Sequence, residues 1–72
     1  MALRGFDFLK TGRNIRGLTQ TEVAEIYGVS ERTYQRWERG DVRVPFDDVS
    51  AICAQVFKLG IDDIRAMIDG ED

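Results

Sequence analysis

Apolar residues along this 72-residue chain recur three and four positions apart, and no stretch alternates apolar and polar residues with the period of two that a half-buried strand needs. The spacing predicts an all-α fold of five helices, over about residues 6–16, 20–27, 31–38, 47–58 and 62–69. In the second helix Val23, Ala24 and Tyr27 share one face, and in the third Tyr34 and Trp37 lie one turn apart. In the fourth, Val49, Ile52, Cys53 and Val56 follow the i, i+3, i+4, i+7 pattern of a buried stripe, which makes this helix the expected centre of the core. Phe46 is placed inward with Trp37. The helix starts carry residues that can satisfy the free amides of a first turn. Thr19 and Glu22 have the spacing of a capping box, Ser30 stands ahead of Glu31 and Thr33, Asp47 and Asp48 follow Pro45, and Asp62 is the expected cap of the last helix.

Between the second and third helices, Gly28 allows a positive φ at a helix end, Val29 can plug the corner, and Ala24 is small enough for two helices to cross closely. Two short helices joined in this way form a helix-turn-helix. With Tyr34 and Trp37 turned inward, the second helix of that unit presents Arg32, Gln35, Arg36 and Arg39 outward, with Glu31 one turn from Gln35. A DNA major groove admits one α-helix. There, Arg can donate twice to guanine, Gln can pair with the N6 and N7 edge of adenine, and Glu can accept from cytosine N4. A merely solvated face would instead mix Lys and Glu, with opposite charges four apart. The loop after Arg39 runs past this helix and places Arg43 for a phosphate contact.

The segment LTQTEVAEIYGVS, followed by YQRWERG, resembles the Cro/repressor-type, or Xre-like, helix-turn-helix family. The resemblance extends more loosely through Pro45 and the last two helices, covering about residues 6–68. It implies base contacts from Glu31, Arg32, Gln35 and Arg36, and phosphate contacts from Thr19, Gln20, Thr33 and Arg39. Two positions depart from the family. Gly12 stands where a core leucine is usual and Ile15 where a polar residue is usual, so the first helix is expected to shift or bend there. The family includes phage repressors, plasmid regulators and antitoxins.

Length and composition narrow the picture. Seventy-two residues suit one small domain with a single core, and 43% apolar with 32% charged residues is the balance of a folded chain. The net charge of −3 is unusual for a nucleic-acid binder, but it is unevenly placed: residues 1–43 carry a net +2 and residues 44–72 a net −5. A basic face and an acidic far end would orient the molecule on a duplex. The lone Cys53 lies on the apolar stripe and reads as core packing in a reducing cytoplasm. No leader-like or membrane-spanning run occurs, so a soluble cytoplasmic protein is expected.

Catalytic constellations are missing from the sequence. Without histidine and with one cysteine, the chain offers no Cys/His metal set and no Ser–His pair, and its seven glycines build no phosphate loop. No enzyme activity, metal, cofactor or small-molecule ligand is expected. Trp37 and Phe46 could stack on single-stranded bases, but core anchoring accounts for both. The expected function is sequence-specific binding of double-stranded operator DNA by a Cro-like phage or prophage repressor. The alternatives are an antitoxin or adaptor that binds a protein partner, and an excisionase-like accessory protein. One recognition helix spans few base pairs, so a homodimer is expected, either preformed or assembled only on DNA. Phe57, Ile64, Met67 and Ile68 are its candidate interface, as too much apolar surface for such short helices to turn inward.

Overall fold

A computed structural model describes residues 4–70. Among them are five α-helices and no strand: α1 (Gly5–Arg16), α2 (Gln20–Tyr27), α3 (Glu31–Arg39), α4 (Phe46–Ile52) and α5 (Ile61–Asp69). The expected fourth helix is divided, since α4 passes at Cys53 directly into a single π-helical turn, Cys53–Phe57. This turn ends at Lys58, whose φ of 57° makes it the one non-glycine residue in the left-handed region among those described. Arg16 supports that corner from α1 by donating to the carbonyl oxygens of Phe57 and Lys58. A cation at this end also suits the negative pole of the helix.

The starts follow from side-chain chemistry. The Thr19 hydroxyl accepts from the Glu22 amide at 3.1 Å, and the Glu22 carboxylate accepts from the Thr19 amide at 2.8 Å. Ser30 Oγ accepts from the Thr33 amide at 3.1 Å. At α5 it is Asp63, one residue beyond the expected Asp62, that accepts from the Gly60 amide, at 3.1 Å. Gly28 ends α2 at φ 96°, where a side chain would be strained, and its amide and that of Val29 both return to the Ala24 carbonyl.

The core gathers Phe8, Leu9, Val23, Ala24, Tyr34, Trp37, Val44, Val49, Ile52, Cys53, Phe57 and Ile64. The expected fourth helix supplies Val49, Ile52, Cys53 and Phe57 to it, as the apolar stripe suggested, and α1 packs on α3, α4, the π turn and α5. Gly12 allows the close approach of α1 to the π turn. A Cβ built there would lie 2.3 Å from Phe57 Cδ2, so the ring rests on bare backbone and α1 runs unbroken where a bend was expected. Phe57 and Ile64, expected at a dimer surface, are therefore corrected to core residues with no exposed surface. Of the four candidates, only Met67 is exposed, and Ile68 is half-buried against the core.

Phe46 is also corrected, being 70% exposed. Val44 takes the inward place, buried against Gly5, where an added Cβ would meet Val44 Cγ1 at 2.5 Å. The aromatic ring of Phe46 is left at the edge of the molecule.

Candidate nucleic-acid interface

The third helix has two faces of opposite character. Tyr34, Trp37 and Glu38 are buried, whereas Glu31, Arg32, Arg36 and Arg39 are exposed and Gln35 is half-exposed. The structure brings Glu31, Arg32, Gln35, Arg36 and Arg39 together with Asp41 around one shallow polar depression. Arg39 is drawn toward its end by Asp41 at 3.4 Å, an exposed pair of small energetic weight. Arg32 and Arg36 have no carboxylate within salt-bridge distance among the described residues. Their guanidinium groups are thus available to an external acceptor.

The orientation of this stripe rests on a buried network that the sequence did not reveal. Arg13 of α1 grips Glu38 of α3 with two parallel bonds, Nε to Oε2 at 2.7 Å and Nη2 to Oε1 at 3.0 Å. Its remaining terminal nitrogen donates to the Leu18 carbonyl at 3.1 Å. Gln20 Nε2 also donates to Glu38 Oε1, at 3.2 Å. Burial opposes the charge on Glu38, but the bonds it accepts outweigh that penalty and hold its carboxyl below the ordinary range. The same bond raises Arg13 above its ordinary value. Tyr34 lies beside the pair with its hydroxyl buried and unbonded, and burial first, then the Glu38 carboxylate, pushes its phenol up. The only sequence signal was position: Glu38 adjoins Trp37 and lies four residues after Tyr34, on the edge of the inward face.

The expected phosphate-binding residues are more dispersed. Thr19 is exposed at the start of α2, and Gln20 beside it has one amide N–H committed to Glu38. Thr33 accepts from the Ser30 hydroxyl at 2.8 Å and is half-buried in the first turn of α3. Arg43 is not part of the depression. It lines a second, larger groove with Arg4, Arg65 and apolar residues that include Trp37, Val42 and Phe46. The two helices of the unit are fixed to the rest by Tyr27, whose hydroxyl donates to Asp48 Oδ1 at 2.6 Å. That bond, with some burial, pushes the Tyr27 phenol up to about 12.

A capped helix pair, joined at a left-handed glycine and turning an arginine-rich face outward, has the geometry of a helix entering a major groove. The helix-turn-helix family model matches residues 9–64. The chain belongs to the Cro/Xre-type helix-turn-helix family. Neither the curated proteins nor the solved structures gave a match. As a family member the protein is a DNA-binding regulator. No helix among the described residues is long and apolar enough to cross a membrane.

Proposed function

We propose that this regulator represses transcription by occupying a specific double-stranded operator, in the manner of a phage or prophage Cro protein. The observation that carries the reading is the pair Arg32 and Arg36, exposed on the outward face of α3 with no carboxylate partner among the described residues. With Gln35 between them they supply donors for guanine and a mixed donor–acceptor edge for adenine. Glu31 borders the same depression. Thr19, Gln20, Thr33, Arg39 and Arg43 serve as phosphate contacts that set the register without reading sequence.

Specific affinity calls for a second copy on a near-palindromic site, because one recognition helix contacts only a few base pairs. With Phe57 and Ile64 in the core, the apolar side chains that a second subunit could cover are Phe46, Ile26, Met67 and Val42, all at least 44% exposed. Selection of bound duplexes from a random pool, followed by sequencing, tests the whole reading. The expected result is a two-fold related motif with half-sites about 34 Å apart along one face of the duplex. Binding that enriches no motif, or a motif without symmetry recovered with a single bound subunit, would count against the operator or the dimer respectively.

A further inference from the structure

One set of polar contacts beside the recognition helix is used neither by the core nor by a cap. Thr21, in the first turn of α2, donates through its hydroxyl to Glu31 Oε1 at 2.5 Å. Gln35 Nε2 donates to the other carboxylate oxygen, Glu31 Oε2, at 3.0 Å. Thr19 already caps α2, so Thr21 has no capping duty, and its side chain points across to α3. Both Glu31 oxygens therefore accept a bond from within the protein, and the Thr21 hydroxyl fixes an otherwise mobile carboxylate.

We propose that Thr21 is a specificity-determining positioning residue, acting through Glu31 to hold the Gln35 amide in one orientation. This inference rests on Gln35 being a base reader, as proposed above. A glutamine amide can flip, exchanging its oxygen and nitrogen with little change of shape. Gln35 anchored by one N–H to Glu31 keeps its second N–H and its Oε1 for a base. That edge matches adenine, which offers an acceptor at N7 and a donor at N6. Guanine offers acceptors at both N7 and O6, so the fixed Oε1 would face O6, acceptor against acceptor. A released amide could turn and donate to guanine. Glu31 in this arrangement orients the reader and does not read cytosine itself.

The test is a binding panel in which every operator position carries each base in turn, measured for the wild type, Gln35→Ala, Thr21→Val, Thr21→Ser and the double variant Thr21→Val/Gln35→Ala. Gln35→Ala should lose adenine preference at one position, which defines where Gln35 reads; loss at no position overturns the reading on which the inference rests. Thr21→Val keeps the shape and removes the hydroxyl, and should lower adenine-over-guanine preference at that same position roughly three- to tenfold, as expected for one lost hydrogen bond. Thr21→Ser should restore the preference. On the Gln35→Ala background Thr21→Val should have no further effect on discrimination, the signature of a coupled pair. If Thr21→Val leaves the preference intact, or weakens all duplexes equally with or without Gln35, Thr21 is not a positioning residue and the inference is overturned even where Gln35 reads a base.

Discussion

The inward and outward faces of α3 both carry charge and hold it in opposite ways. Glu38 is 1% exposed and accepts three side-chain hydrogen bonds, two of them from one guanidinium, while Arg32 and Arg36 have no carboxylate partner among the described residues. The Glu38 charge on the inner face is satisfied within the protein, whereas on the outer face Glu31 and Arg39 have internal partners and the guanidinium groups of Arg32 and Arg36 do not pair with a carboxylate among the described residues. Nine residues thus both lock α3 to α1 and α2 and turn Arg32 and Arg36 to solvent. A rigid helix presenting unpaired donors loses little freedom on meeting a groove that supplies the acceptors.

The sharpest way to break the contrast is Trp37→Ala. Removing a large side chain that is 8% exposed should cost about 3–5 kcal/mol, a large share of what a domain of this size has, and the thermal melt should collapse or vanish. Arg36→Ala in the same assay should leave Tm nearly unchanged. The reverse ranking would mean that the two faces are exchanged.

Next in size is Glu38→Gln, which keeps an acceptor but leaves Arg13 without its counter-charge. The expected cost is about 3 kcal/mol, at the low end for breaking a buried pair because Arg13 retains some solvent contact. The pH dependence has a definite sign. The Glu38 carboxyl is held below its unfolded value, so the unfolded chain takes up the proton first as pH falls. The stabilisation is present above the ordinary glutamate range near about 4.3, and it is lost as pH drops through the folded value. Denaturant midpoints measured from pH 7 down to pH 3 should fall steeply for the wild type and less steeply for Glu38→Gln. Parallel curves would show that another carboxylate sets the acid limit.

The contrast also marks what was legible in the sequence. The helix pair was readable because its determinants are local: Thr19 with Glu22, Ser30 with Thr33 and Gly28 are each within three residues of the group they satisfy or the helix they end. The outward stripe followed from the inward positions of Tyr34 and Trp37. Features set by partners far along the chain were not readable. Arg13 and Glu38 are 25 residues apart, and nothing near either announces the other. Gly12 looked like a weakness in α1 because Phe57, whose ring it accommodates, lies 45 positions away in sequence and was assigned to the surface. Phe46 was misplaced because its spacing to Val49 satisfies the helical period, while the space beside Gly5 is filled by Val44 from the preceding loop. Periodicity identifies a face but not whether the neighbouring segment has already covered it.

On the outer face, Arg32→Ala and Arg36→Ala should each weaken binding to the selected operator by about 1–3 kcal/mol and relax preference at one position. Arg43→Ala should weaken cognate and random duplexes alike and reduce the dependence on salt. Fluorescence titrations against single-base variants at two salt concentrations separate these patterns. If both α3 variants lower affinity uniformly, the stripe positions the protein without reading sequence, and the specificity lies elsewhere.

The smallest expected effect lies where the helix pair meets the rest of the fold. Tyr27→Phe removes the hydroxyl that bonds Asp48, and it should cost about 1 kcal/mol at neutral pH, since Tyr27 is only half-buried and Asp48 can be hydrated in its place. Its alkaline behaviour is more informative than its size. The bond to Asp48 raises the Tyr27 phenol to about 12 in the folded protein, and burial raises the Cys53 thiol to about 11. In each case the unfolded chain loses its proton first, so the stabilisation is complete below the unfolded value and is lost as pH rises through the folded one. Wild-type stability should therefore decline from about pH 9 upward, first through Cys53 and then through Tyr27 and the buried Tyr34, whose phenol is also raised. Tyr27→Phe should lessen the decline above about pH 10, the remainder belonging to Tyr34, while leaving the earlier part, which Cys53→Ala should remove. Urea midpoints measured between pH 8 and pH 11 resolve the two stages, and a Tyr27→Phe curve that merely runs below the wild type at constant separation would show that the Asp48 bond does not couple the helix pair to the alkaline transition.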